Sequence, residues 1–172
     1  IRHNYLHDSV GLGKNHQQKW VSPYYCWGIY LDNFTCGTTV YGNICVRNMN
    51  GGPYIHGGVD NVIENNIIVD GLGQQVQYMP IDSVTSGRTK GHPDTSMWLM
   101  TGTRFIGNIV AYSGEKSHYA AGRKWEQCIA ESDLNLIWHN GLPLTLQKMT
   151  PTEGKDYWET WGDMGFEKNS VI

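Results

Sequence analysis

The chain repeats a short pattern of apolar and polar positions. In each copy an apolar or aromatic residue is followed by two variable residues, an asparagine and then a short apolar run. The copies lie at 1–6, 40–46, 63–69 and 105–110, with a weaker copy at 133–138. Their asparagines are Asn4, Asn43, Asn66, Asn108 and Asn135, separated by 39, 23, 42 and 27 residues. Short apolar runs that end at Gly or Asn are typical of β-strands, so the pattern predicts a repetitive β-fold.

The spacing of the copies predicts the architecture of that fold. A coil of about 23 residues, lengthened in places by insertions, accounts for all of the gaps. This is the arrangement of an all-β parallel solenoid of about five to six coils, which stack at a strand spacing of about 4.8 Å. The repeated asparagine would then form an amide ladder along the stack. The alternative is an unrelated β-sandwich in which each asparagine marks a turn.

A second alignment predicts which residues are neighbours. Residues 28–32 (GIYLD) match residues 52–56 (GPYIH) at an offset of 24. Tyr30 aligns with Tyr54, and Asp32 aligns with His56. If the two segments belong to adjacent coils, the Asp32 and His56 side chains are stacked on each other.

The longer gaps locate two insertions, near 11–27 and 71–95, both rich in Gly, polar and aromatic residues. Residues 1–147 are therefore predicted to form the coils, and 148–172 to form a loop or short-helix extension that leads into a further, truncated coil. Long loops in compact domains are usually functional. Because the chain starts and stops inside apolar patterns, we expect it to be a fragment of a longer protein.

Composition excludes two classes of protein. The 172 residues include 13 basic and 16 acidic side chains, a balance that argues against an electrostatic nucleic-acid binder. A run of about 18 apolar residues is absent from the sequence, so no membrane span is expected. The four cysteines lack the spacing of a zinc site or a redox pair.

Three segments carry a family resemblance: GIYLDNFTCGTTVYGNICV (28–46), GGPYIHGGVDNVIENNIIVDG (51–71) and the closing segment with SDLNLIWHNG and WGDMGFEKNSVI. They resemble the right-handed parallel β-helix domains of the pectate-lyase superfamily, and more narrowly bacterial β-helix glycoside hydrolases of the family-141 type. The resemblance implies a carbohydrate-active protein, secreted or periplasmic, that acts as a monomer within a longer chain. It is specific for the fold and suggestive for the chemistry, because this fold hosts many reactions.

Three residues are the candidates for catalysis. Asp32 follows an apolar run beside aromatic residues, where a carboxylate can act as general acid or nucleophile on a sugar. His56 can transfer protons near neutral pH, and Asp60 is the natural second carboxylate. Each also has a structural interpretation, since Asp caps turns, His occupies turns, and Asp60 lies in a Gly-Gly-Val-Asp-Asn turn.

Aromatic residues around the first insertion are the candidates for substrate binding. Flat rings pack against the apolar faces of sugars, and Trp and Tyr add a polar group. The predicted binding residues are Trp20, Trp27, Tyr30 and Tyr54, together with His7 and Asp8, which we expect to line the same cleft as Asp32. Ordinary packing of the loop is the alternative for about half of the rings. Metal binding by His7 and Asp8 has weak support, and no metal site is predicted.

Three functions compete at this stage. The leading hypothesis is a glycoside hydrolase that cleaves plant or microbial polysaccharide with Asp32 and Asp60, while His56 tunes one of them. A polysaccharide lyase is the second, and would call for a cation such as Ca²⁺ to neutralise a uronate; no other cofactor is predicted. A non-catalytic β-helix that binds glycans, like an adhesin or tail-spike, is the third. In each case the partner is a polysaccharide or oligosaccharide.

Overall fold

The computed structural model describes residues 1–33, 35–80 and 100–172, and it is mostly β-structure in parallel sheets. The strands are β1 (Tyr5–His7), β2 (Gly13–Lys14), β3 (Trp20–Val21), β4 (Trp27–Leu31), β5 (Thr39–Tyr41), β6 (Ile44–Val46), β7 (Asn50–His56), β8 (Val62–Glu64), β9 (Ile67–Val69), β10 (Gln74–Met79), β11 (Thr103–Ile106), β12 (Ile109–Ala111), β13 (His118–Gly122), β14 (Ile129–Asp133), β15 (Leu136–Trp138) and β16 (Leu146–Gln147). The helices are α1 (Trp125–Cys128) and α2 (Tyr157–Asp163). The predicted all-β class is confirmed.

Three parallel sheets contain nearly all of these strands. Sheet I has the order β4-β7-β10-β13-β16, sheet II has β5-β8-β11-β14, and sheet III has β1-β6-β9-β12-β15. From β4 onwards the chain visits sheets I, II and III in turn, and then returns to sheet I beside the strand that it left. We call each such circuit a pass. Residues at the same position of successive passes therefore become neighbours across parallel strands.

The register within sheet I matches the offset of 24 that the sequence predicts. Tyr30 pairs with Tyr54, and Leu31 pairs with Ile55. Tyr54 in turn pairs with Gln77 of β10. The ends of β4 and β7 consequently lie side by side, which brings the residues that follow each strand to the same edge of the sheet.

Alternation along the strands builds the core between the sheets. The central residue of each sheet III strand after β1 is buried, as are Val40, Ile63 and Phe105 in sheet II. Leu31 and Ile55 contribute from sheet I. Full burial of one such side chain stabilises the folded state by about 1.5–3 kcal/mol. The short apolar runs of the sequence are thus core positions contributed once per pass.

The predicted asparagine ladder is present at the corner between sheets II and III. Each side-chain amide donates from Nδ2 to Oδ1 of the asparagine in the next pass, at 2.9–3.2 Å. The series runs Asn4, Asn43, Asn66, Asn108, Asn135, and we call it the asparagine column. At its far end Asn135 Nδ2 donates to the buried carboxylate of Glu167 at 2.8 Å. All members after Asn4 are buried and hydrogen-bonded, as buried amides require.

Both predicted insertions contain strands within their described parts. The first, near 11–27, holds an antiparallel pairing of β2 with β3, and Trp27 at its end begins β4. The second, near 71–95, opens with β10, a full member of sheet I. The rest of that insertion, 81–95, lies outside the described residues.

The C-terminal extension contains the predicted short helix. α2 begins after Asp156, whose side chain accepts from the Glu159 backbone N–H while the Glu159 side chain accepts from the Asp156 N–H. This capping box fixes the start of the helix. Beyond it, Val171 forms a parallel bridge with Leu136 of sheet III. None of the helices in the described residues is long and apolar enough to cross a membrane.

Candidate functional site

Asp32 and His56 meet at one edge of sheet I. Asp32 directly follows β4, and His56 is the last residue of β7, so the register places them in adjacent passes. His56 Nδ1 lies 3.1 Å from Asp32 Oδ1, a hydrogen-bond distance. The predicted stacking of these two residues is therefore present. The offset of 24 residues in the sequence thus corresponds to a contact between a carboxylate and an imidazole in the structure.

Several donors surround the Asp32 carboxylate and keep it ionised. The pKa of Asp32 is lowered from 3.8, chiefly by the hydrogen bond from His56, with Tyr30 and the Asn33 backbone N–H acting in the same direction. Partial desolvation opposes them. The Asn33 N–H lies 3.0 Å from Oδ1. Since the carboxylate accepts at His56 Nδ1, the neutral imidazole carries its proton on that nitrogen and leaves Nε2 as the acceptor.

Tyr30 completes this polar group. Its hydroxyl oxygen lies 3.3 Å from His56 Nδ1. Its pKa is raised well above the usual value, first by desolvation and then by its hydrogen bond to Asp32. The phenol therefore stays protonated and donates to the carboxylate. Two side chains and one backbone amide thus fix the orientation of Asp32.

A stack of aromatic rings adjoins the carboxylate. Tyr54 stacks on both Trp27 and Tyr30, with ring centroids 4.6 Å apart in each pair and interplanar angles of 20° and 24°. Trp27 and Tyr30 also contact each other, with centroids 5.2 Å apart. His56 continues the stack at 5.4 Å from Tyr54. Tyr25 approaches Trp27 edge-on at 4.5 Å. The first insertion thereby adds a ring to those of sheet I.

The rings of this aromatic stack differ in exposure. Tyr30 is 39% exposed, whereas Tyr54 is only 4% exposed beneath its neighbours. Tyr54 was predicted to bind substrate directly, but its position makes it a support for the other rings. The Trp27 indole N–H donates to Gln77 Oε1 at 2.8 Å, which fixes the plane of the ring. Gln77 was not a predicted site residue because Gln carries no sequence signal of such a role.

Asp60 lies in the turn that leads from sheet I to sheet II. Its backbone has φ 56, and its N–H donates to the Thr101 carbonyl at 3.0 Å. A positive φ at Asp is typical of a turn residue. Among the contacts of the described residues, none joins the Asp60 side chain to Asp32 or His56. Its pairing with Asp32 therefore stays a prediction.

His7 and Asp8 are not brought to the same cleft as Asp32. His7 is the last residue of β1 in sheet III and Asp8 follows it, with His7 Nδ1 2.7 Å from Asp8 Oδ2. Arg47, one pass later, donates from Nε and Nη2 to both oxygens of Asp8, at 2.8 and 2.7 Å. These bonds, with the Arg47 bond the largest cause, lower the pKa of Asp8 to about 2. The group is an exposed ion-pair cluster.

Trp20 is also separate from the aromatic stack. It lies on β3, where the Lys14 ammonium is 5.4 Å from the ring centroid. The ring is exposed and packs in this cation–π contact. Of the six predicted binding residues, the structure groups Trp27, Tyr30 and Tyr54 with Asp32.

A groove that was not predicted lies at the corner where the chain passes from sheet III to sheet I. It has a volume of about 560 Å³ and is lined by residues that include Arg47, Asp70, Leu72 and Ser113. Asp70 Oδ1 accepts from both the backbone N–H and the hydroxyl of Ser113, each at 2.9 Å. Its carboxylate thereby ties two passes together. Charged residues recur directly after the apolar runs of sheet III, as Asp8, Arg47 and Asp70, and this recurrence is the sequence signal for the corner.

Searches of protein-family models, of curated proteins and of solved structures found no match to this chain. Within the ranges 1–33, 35–80 and 100–172, no three His, Cys, Asp or Glu side chains are grouped so that they could hold a metal ion. The groups that the structure brings together at Asp32 are a carboxylate with a lowered pKa, an imidazole and aromatic rings. These groups are suited to binding and cleaving a sugar.

Proposed function

We propose that the chain is a carbohydrate-active protein with a right-handed parallel β-helix of the pectate-lyase-like type. The repeated passes through three parallel sheets and the asparagine column support the β-helix. Right-handed connections between parallel strands of one sheet are the strong preference of proteins, which supports the handedness. The nearest functional type under this proposal is a glycoside hydrolase of the family-141 type.

The observation that carries the proposed activity is the contact between Asp32 and His56 beside stacked rings. A sugar ring lying against Tyr30 and Trp27 would place its polar atoms close to the carboxylate. Rings of this kind pack on the apolar C–H faces of sugars. The lowered pKa of Asp32 keeps it charged at neutral pH, which suits a nucleophile or a general base rather than a general acid.

The roles of the three candidate residues follow from this charge state. Asp32 would attack the anomeric carbon or activate a water molecule. His56 would hold Asp32 in place through Nδ1 and present Nε2 toward the substrate. Asp60 is proposed as the acid that protonates the leaving group, since a glycosidase needs a second carboxyl group near the first.

The test is an activity screen of the purified chain on a polysaccharide panel, with release of reducing ends as the readout. Asp32→Asn should lower turnover at least about a hundredfold, because it removes a positioned acid–base group. Asp163→Asn is the matched control, since that carboxylate pairs with Lys155 on the distant extension. Unchanged turnover in Asp32→Asn would overturn the assignment. Chelator-sensitive release of unsaturated, ultraviolet-absorbing products would instead identify a lyase.

A second function has one observation in its favour. In the described residues no second carboxylate contacts Asp32, whereas the aromatic stack is complete. A glycan-binding protein without activity needs only the rings and hydrogen-bonding groups. Calorimetric binding of a polysaccharide, together with no product after days at high protein concentration, would favour this function over hydrolysis.

A further inference from the structure

The outward face of sheet III is apolar across its whole width. One outward residue of each strand lies in register with the next, and the column reads Tyr5, Ile44, Ile67, Ile109, Leu136. Ile67 is half-buried and the other four are exposed. Ile109, for example, is 41% exposed although the residue after it, Val110, is fully buried.

A second outward column runs beside the first and is also nearly free of polar groups. It consists of Val46, Val69, Ala111 and Trp138, with His7 on the first strand. No Asp, Glu, Lys or Arg occupies any of the ten outward positions, all of which the structure describes. A sheet face that is solvated normally alternates apolar inward residues with polar outward ones. Sheet III keeps the apolar residues on both faces.

Sheet II differs from sheet III, because charged residues lie on its outward face. Its outward residues include Glu64, Asp133 and the pair of Arg104 with Glu131, whose Nη2 and Oε2 atoms are 2.9 Å apart. Its strands are paired in parallel, like those of sheet III. The difference in composition therefore belongs to the outward face of sheet III itself.

The apolar face is comparable in size to the largest apolar patches that single folded chains expose, and such patches are often functional. Five strands at about 4.8 Å spacing and three residues each at about 3.3 Å give a face of about 25 by 15 Å once side chains are included. Contiguous exposed apolar patches of more than a few hundred Å² mark interaction sites. A stable interface buries about 800 Å² on each partner, with an apolar core and a polar rim. The face supplies about half of that area as core.

We propose that sheet III is a self-association surface that packs face to face on sheet III of a second copy of this chain. Flat sheets with Ile and Val side chains pack on each other about 10 Å apart, and a two-fold axis makes one surface its own complement. The row of Asp8, Arg47 and Asp70 at the strand ends, in which Asp8 and Arg47 are exposed and Asp70 is half-buried, provides a rim of alternating charge. A glycan is a poorer occupant, because the two aromatic rings, Tyr5 and Trp138, lie on the first and last strands.

This dimer differs from the monomer that the sequence led us to expect. It does not depend on the proposed sugar chemistry, because Asp32 and His56 lie on the edge of sheet I and not on sheet III. Loss of the dimer and loss of glycan cleavage are consequently separate results. Each can be measured on the same purified chain.

The test is sedimentation velocity over a range of protein concentrations, with two matched variants. Ile109→Glu places a charge on the sheet III face, on the strand next to the central one, and Tyr41→Glu places one on the outward face of sheet II, where Tyr41 is 37% exposed. The wild-type chain should form a dimer. Ile109→Glu should weaken the dimer by about a hundredfold or more, because burial of an unpaired charge opposes association. Tyr41→Glu should dimerise like the wild type.

Thermal unfolding of each variant, followed by circular dichroism, is the check that both are folded. A wild-type chain that stays monomeric at all concentrations would overturn the proposal. So would a dimer that Tyr41→Glu disrupts as strongly as Ile109→Glu does, or an open-ended polymer in place of a closed pair.

Discussion

The asparagine column and the Asp32–His56 pair are both built by stacking polar side chains from successive passes, yet they differ in two respects. The asparagine column repeats one residue type at every pass and is buried after Asn4. At the end of sheet I the residue type changes from Asp32 to His56 to Met79 in register, and the pair is open to solvent. The buried, repeated amides satisfy one another and the backbone, whereas the exposed, varied pair leaves polar groups that solvent or a ligand can reach.

The physical reason for this difference is the cost of burial. An amide that is removed from water must find partners for both its donor and its acceptor, and an identical neighbour on each side provides them. A carboxylate beside an imidazole has no such need for an identical neighbour, because solvent reaches both groups. A polar stack in this fold can therefore be assigned to stability or to function by its exposure and its uniformity.

The largest expected effect comes from breaking the buried stack. Asn66→Ala removes the amide that accepts from Asn43 and donates to the Val40 carbonyl and to Asn108. We expect a loss of about 3 kcal/mol in the free energy of unfolding, because several buried groups lose their partners. Denaturant unfolding measures it. Asn4→Ala, at the exposed end of the same column, is the control and should cost about 1 kcal/mol or less; equal losses in both variants would contradict the comparison.

An intermediate effect is expected from the aromatic stack beside Asp32. Trp27→Ala removes a ring that packs on Tyr54 and should weaken glycan binding about tenfold, which corresponds to about 1.4 kcal/mol. Trp20→Ala removes the same ring type from the hairpin, outside the stack, and should bind like the wild type. Isothermal titration with a polysaccharide that the wild-type chain binds provides the measurement. If Trp20→Ala weakens binding as much as Trp27→Ala, the hairpin is part of the binding surface.

The smallest expected effect is a change in the pKa of Asp32 when its exposed partner His56 is removed. In His56→Ala the pKa of Asp32 should rise toward 3.8, because the hydrogen bond from His56 is the main cause of its lowering. NMR titration of the Asp32 carboxyl carbon measures this directly. The lowered folded pKa means that this bond stabilises the protein above the unfolded pKa of about 3.9, and that the contribution is lost as the pH falls through the folded value. An Asp32 pKa that is unchanged in His56→Ala would show that other donors hold the charge.

The sequence predicts those parts of the molecule that repeat. The asparagine spacing identifies the buried column, and the offset of 24 identifies Tyr30 above Tyr54 and Asp32 above His56. Such features can be read along the chain because one structural position recurs with one residue type. β10 escaped detection for the opposite reason: Gln74 and Gln75 occupy buried strand positions, and Gln75 is satisfied there by hydrogen bonds to the Gly71 backbone.

Placement around the corners of the fold could not be predicted in the same way. His7 ends a strand and Asp8 follows it, just as Asp32 follows β4, but their strand belongs to sheet III and not to sheet I. The spacing of a repeat in the sequence gives the register between two residues. It does not show to which sheet the strand before each residue belongs. Trp20 poses a similar problem, since the path of an insertion depends on local turns rather than on the repeat.

The asparagine column has a direction, which Glu167 makes apparent. Each side-chain amide donates to the asparagine of the next pass, and each asparagine after Asn4 accepts from that of the previous pass. The two ends of the column therefore differ. Its last donor, on Asn135, meets a carboxylate that can only accept, and the Tyr119 hydroxyl donates to the same group at 2.8 Å. The Glu167 carboxylate accepts the hydrogen bond of Asn135 and has no amide N–H with which to continue the series. An asparagine there would leave a donor for yet another unit.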